Sequence, residues 1–216
     1  MKKITLFVLC ILLVLGTVGC ANTQAETDAA QYACGKAAYD QLNVAADICV
    51  RVMDSVYNAW YFAIYSADDY TESSEDYERG LDVFVSKVGI PKELLEEAYM
   101  QYADTTLKGA QLLLPYALTK FQSTVSIVEY AYQISGAFDQ LDTALSTAKA
   151  ELKTMMELYS DYSEYPTLKA FYAEVNSYAE FAQNPSGSFQ QLKTTIDNYE
   201  TAIRTYKSEL SFVFED

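Results

Sequence analysis

Three stretches of the chain place apolar residues at alternating steps of three and four. In "FQQLKTTIDNYETAIRTYKSELSFV" they are Phe189, Leu192, Ile196, Tyr199, Ile203, Tyr206, Leu210 and Val213. Leu42, Ala45, Cys49, Val52, Val56, Ala59 and Ala63 repeat the pattern, as do Phe138, Leu141, Leu145, Ala148, Leu152, Met155, Tyr159 and Tyr162. A mean step of about 3.5 holds one stripe of a helix against a neighbour. A half-buried strand would alternate every second residue, and none of these stretches does. The spacing predicts an all-α fold, an elongated up-and-down antiparallel bundle with shallow left-handed crossings.

Turn formers divide the bundle into expected helices at 28–67, 75–88, 91–134, 137–163, 165–183 and 187–214. "SADDYTESSED" closes the first, and "VGIPKE" puts Pro91 at the start of the third. "SEYPTLK" and "QNPSGS" combine proline with polar turn residues. Pro115 lacks the N–H that helix continuation needs, so a kink or break is expected there. The apolar register runs through Gly136, which leaves both a break and one continuous helix open at that point.

The amino terminus has a different pattern. Lys2 and Lys3 precede an unbroken apolar run from Ile4 to Leu15, followed by the small or compact Gly16, Thr17, Val18 and Gly19, and then Cys20. That is the layout of a secretory leader, and the run is shorter than the roughly 20 residues a membrane span needs. Thr17-Val18-Gly19-Cys20 resembles the lipobox of bacterial lipoproteins. The resemblance implies cleavage before Cys20, a diacylglycerol on its thiol and an extracytoplasmic, membrane-anchored domain. Two acyl chains give stable attachment where one does not. The expected organisation is a signal peptide at 1–19, a lipid-anchored tether at 20–27, free of large apolar residues, and the helical domain at 28–216.

Composition narrows the functions. Thirty acidic residues against 15 basic ones give a net charge of −15, which repels nucleic acid and anionic headgroups and favours cationic partners. There is no histidine, so Ser-His-Asp and Cys-His catalysis and the usual zinc sites are excluded. No cofactor and no metal are expected. The six carboxylates of "ADDYTESSEDYE" lack the glycine and ligand spacing of an EF-hand and read as a solvated turn and helix start. No glycine pattern forms a phosphate loop, and a binding protein rather than an enzyme is expected. Cys34 and Cys49, fifteen residues apart on one helix, lie about 22 Å apart along its axis. A disulfide needs Cα atoms within about 7 Å, so two free thiols are expected.

Tyrosine is the compositional anomaly, with 19 residues against one tryptophan, Trp60. Most should sit at the core margin with the hydroxyl wet. They crowd at Tyr57, Tyr61 and Tyr65, which step by four beside Trp60, and again in "LYSDYSEYP". In the latter, Tyr159, Tyr162 and Tyr165 step by three with Asp161 and Glu164 between them, a candidate partner-binding site for an ammonium or guanidinium group. The functional expectation is an interaction module for a protein or other macromolecule, with capture of a basic protein segment or other cationic group. A lipoprotein that binds a small cationic or amphipathic ligand is the alternative, and a carboxylate-based enzyme ranks last.

Replacing Cys20 by alanine should release the protein from the membrane or leave it unprocessed. Mass spectrometry of the mature amino terminus checks this; a cut elsewhere with unmodified Cys20 contradicts the lipoprotein assignment.

Overall fold

The structure, a computed structural model, describes residues 24–215; Cys20 and the leader lie outside them. Among the described residues there is no strand. Eight α-helices run in the order α1 (Gln24–Tyr65), α2 (Ser74–Val88), α3 (Lys92–Tyr102), α4 (Leu107–Ala117), α5 (Phe121–Ile134), α6 (Ala137–Leu158), α7 (Tyr165–Gln183) and α8 (Phe189–Phe214), with a 3₁₀ turn at Ala67–Tyr70. No helix among them is long and apolar enough to cross a membrane.

The all-α bundle is as the seams predict, but α1 is more than one partner in a seam. It packs against α2, α5, α6, α7 and α8, while α3 packs on α5 and α4, and α4 on α3 and α2, outside that ring. Leu42, Ala45, Cys49, Val52, Val56 and Ala59 of the predicted seam are all buried. So are Tyr39, Ala46, Met53 and Trp60, spaced by seven, and Ile48, Ser55 and Phe62, also spaced by seven. Burial of several adjacent heptad columns makes α1 the axis of the fold. Its exposed side is the stripe Asp40, Val44, Asp47, Arg51, Asp54, Tyr61 and Tyr65, together with half-buried Asn58.

Several boundaries differ from expectation, each for a local reason. Helix α1 begins at Gln24, so residues 24–27 of the expected tether are helical. The single helix expected at 91–134 is three helices. One break falls at Asp104, whose φ of 48° is left-handed, and Thr106 restarts the chain by accepting from the Gly109 N–H. The other follows Pro115, which sits inside the last turn of α4 before the helix ends at Ala117. Helix α6 stops at Leu158, not near 163.

Gly136 adopts a left-handed φ of 74°, a conformation that only glycine reaches without strain, and it separates α5 from α6. Yet both helices continue along α1 in the same direction. Tyr132 of α5 meets Ser55, Thr143 of α6 shares a shallow groove with Val44, and Glu151 meets Cys34. The strict up-and-down order therefore fails here: α5 and α6 form one bent path antiparallel to α1. Helix α7 runs parallel to α1, since Phe171 faces Tyr39 and Tyr178 lies further along, near Cys49 and Asp54. Helix α8 returns antiparallel, pairing Phe189 with Tyr57 and Lys207 with Asp47.

Both thiols are free and buried, and burial pushes each up to about 12. Gly35 is fixed by close approach: a Cβ there would stand 3.0 Å from Phe214 and from Tyr162.

Ile203 is buried and Arg204 exposed on α8. Ile203→Asp should cost about 3 to 5 kcal/mol by burying an unpaired charge, while Arg204→Asp should stay under about 1 kcal/mol. Equal shifts in urea midpoint would place a different face of α8 on the core.

Candidate functional site

The "LYSDYSEYP" segment forms the turn between α6 and α7. Successive backbone bonds tie it: Tyr159 N–H donates to Met155, Tyr162 to Tyr159 and Tyr165 to Tyr162, at 2.8, 3.0 and 3.1 Å. All three rings are half-buried and pack on the core. Tyr162 leans on Gly35 beside Phe214, and burial, with the Glu164 carboxylate adding to it, pushes its hydroxyl up to about 12. Glu164 is half-buried and accepts from Ser163 at 2.6 Å, whereas Asp161 is exposed. The partial burial of Tyr159 and Tyr162 continues the seam that begins at Phe138. Among the described residues no side-chain cation lies over any of the three rings.

Tyr32 and Phe212 are exposed near this turn, and a larger cluster with exposed rings lies at the opposite end. Tyr57, Tyr61 and Tyr65 lie on successive turns of α1, and Phe189, the first residue of α8, lies across all three. Its ring stacks on Tyr57 at 5.1 Å, meets Tyr61 at 6.3 Å and meets Tyr65 edge-on at 5.8 Å. Phe189 is held there by a capping box: Ser188 accepts from the Gln191 N–H, and the Gln191 side chain accepts from the Ser188 N–H. Tyr65 is 60% exposed and Tyr61 41%. On the neighbouring face Phe121 packs edge-on against Trp60 at 5.3 Å, and Tyr77 against the exposed Tyr116 at 5.7 Å.

Directly after α1 come the exposed Asp68, Asp69, Glu72 and Glu75. Ser73 caps α2 by accepting from the Asp76 N–H, so the acidic run is the helix start that its sequence suggested. No three Cys, Asp or Glu side chains among the described residues are grouped to hold a metal ion.

Below the rings, the ring of helices is open between α8 and α2, which do not form a packed pair. An open cleft of about 490 Å³ lies along the exposed stripe of α1 there, lined by Asp47, Arg51, Asp54 and Asn58 with Lys87 and Tyr132 opposite. Its floor is a buried polar pin. The Ser55 hydroxyl donates to the Val88 carbonyl at 2.6 Å and lies 2.7 Å from the Tyr132 hydroxyl, which in turn reaches the Arg51 carbonyl at 3.1 Å. Burial raises the pKa of Asp54. It raises that of Glu200 too, with the Asp54 charge adding to the effect. Neither Arg51 nor Lys87 forms an ion pair among the described residues. Ser55 has its proton committed to a carbonyl and no base beside it, so the pin holds α1, α2 and α5 together and does not present a nucleophile.

Comparison with protein-family models, curated proteins and solved structures found no match to this chain.

The tyrosine column on α1 was visible in the sequence; its seating under Phe189, and the cleft, were not. One signal was available. Along α1 the heptad column Asp40, Asp47, Asp54 continues to Tyr61, and the column Val44, Arg51, Asn58 continues to Tyr65. Aromatics that extend mostly polar columns are predicted to be exposed.

Burial pushes Tyr39 and Tyr162 up to about 12 from an ordinary 10.0, and raises Tyr178 further. A folded pKa above the unfolded one means the folded state holds its proton more tightly. The stability these tyrosines supply is thus complete below about pH 10 and lost as pH rises toward 12 and beyond. Tyrosinate absorbance should rise late and together with loss of helix; full titration at the ordinary value with the helix intact contradicts their burial.

Proposed function

We propose that this chain is an extracytoplasmic lipoprotein, held to the membrane by a diacylglycerol on Cys20, whose bundle is a binding module for a protein partner. The observation that carries it is the exposed, pre-ordered ring cluster of Tyr57, Tyr61, Tyr65 and Phe189. Clustered rigid aromatics are the usual energetic centre of protein interfaces. Helix α1 has 42 residues and is about 63 Å long at 1.5 Å per residue. Its amino-terminal end lies next to Cys20 in the chain and its carboxy-terminal end carries the rings. Anchor and recognition surface are therefore at opposite ends of one stiff helix, an arrangement that holds the rings away from the bilayer. The absence of histidine and the committed Ser55 proton support binding without catalysis.

The polar cleft favours a second function, capture of a small charged ligand, because about 490 Å³ falls within the range of small-molecule sites.

A photo-crosslinking residue in place of Tyr65 should form an adduct in intact envelope, and Tyr61→Ala in the same chain should abolish it. The same residue in place of the exposed Met156, at the anchored end, should form none. Equal adducts from both positions, or none from position 65, contradict the proposal.

A further inference from the structure

We infer that the rings at the carboxy-terminal end of α1 take a lysine- or arginine-rich segment of the partner, and that Lys87 occupies one of its cation positions in the free molecule. The inference rests on the binding-module proposal above and names the chemistry of the partner.

Three of the chain's own cations already lie over rings at this end. Lys87 Nζ is 5.2 Å from the centre of the Tyr61 ring, Lys120 Nζ 5.3 Å from Tyr116, and the Arg79 guanidinium 5.5 Å from Tyr70. Among the described residues no other such contact occurs, although half-buried tyrosines are spread along the whole bundle. The surface therefore has the geometry to hold ammonium and guanidinium groups. Tyr65, the most exposed ring of the cluster, has no cation over it. Asp68 and Asp69 follow it by one turn, are exposed, and form no ion pair among the described residues. An empty ring face next to free carboxylates is complementary to a basic segment.

Lys87 fits the part of an internal occupant. Among the described residues it makes no ion pair, and its contact with Tyr61 is the one thing that holds its head group. Its flexible stem lets the ammonium swing into the adjoining cleft, which it also lines. The rings need no rearrangement, because the capping box and the stack on Tyr57 fix Phe189 beforehand. A lipid surface suits the site poorly, since the net charge of −15 and the adjacent acids repel anionic headgroups.

The test uses the full-length lipidated protein in detergent micelles, with an oligo-arginine peptide as probe and an oligo-glutamine peptide as control. Tyr61→Ala with Tyr65→Ala should weaken oligo-arginine binding about tenfold, whereas the two Tyr→Phe changes should keep it within about twofold because the ring faces remain. Circular dichroism should show both variants folded, since the side chains are exposed. Lys87→Met should tighten binding roughly threefold. Lys153→Met, which removes the same charge at the anchored end of α6, should change it much less. Unchanged affinity in the alanine variant, or equal effects of Lys87→Met and Lys153→Met, overturns the inference. Phosphatidylcholine vesicles bound by the wild type and lost by the alanine variant, without peptide binding, overturns it in favour of a lipid surface. A Tyr61-dependent crosslink at position 65 that oligo-arginine does not displace keeps the binding module but overturns its basic partner.

Discussion

The fold depends on the burial of α1. A helix in water gains little from its own hydrogen bonds, and most helical stability in proteins comes from packing an apolar face. Here one helix of 42 residues supplies apolar columns to five neighbours, so α2, α5, α6, α7 and α8 all share one partner, with α5 packing also on α3 and α8 also on α7. Short side chains allow this. Ala38, Ala45, Ala46 and Ala59 have essentially no exposed surface, and they let neighbouring helices approach α1 from several sides. A buried polar contact in this interior, between Ser55, Tyr132 and the Val88 carbonyl, lies where α2, α5 and α1 meet and satisfies its own donors. A buried polar group that is fully paired fixes register at little cost in stability.

What the sequence made legible follows from this arrangement. Periodicity identified the helices with long apolar seams, and α7 was placed from Tyr165 to Gln183 because proline and turn formers mark both ends. Periodicity did not show that α1 is central. A seam describes one contact, and the additional columns at Tyr39, Met53 and Phe62 become informative only when several neighbours are considered at once. Within 91–134 the break after Pro115 was expected from the proline, whereas the one at Asp104 was missed because it contains no glycine or proline. It relies on a left-handed Asp104, whose short polar side chain tolerates that conformation. At Gly136 both readings held part of the truth, since the helix breaks but the path continues. The "LYSDYSEYP" rings were seen as a cluster at the end of a seam, yet the packing of Tyr162 beside Gly35 and Phe214 depends on contacts far away in sequence. Cys20 and the leader remain matters of sequence alone.

The same centrality explains the surface. Five neighbours cannot close around α1 completely, and the opening between α8 and α2 leaves one stripe of it exposed. Charged residues fill that stripe for most of its length, as solvation requires. Only its far end is aromatic, and there α8 begins with Phe189 laid across the tyrosines. The surface at that end therefore combines a rigid scaffold, apolar rings and uncompensated acids, while at the other end Tyr159, Tyr162 and Tyr165 are half-buried against the core and Tyr32 and Phe212 are exposed.

Native-state hydrogen exchange measures the centrality of α1 directly. Amides in the stretch from Ala38 to Ala59 should exchange only through global unfolding and be the slowest in the chain. Those of α3 and α4, which pack outside the ring, should open earlier at lower denaturant. Slowest exchange in α7 and α8, with α1 opening independently of them, would contradict a fold built around α1.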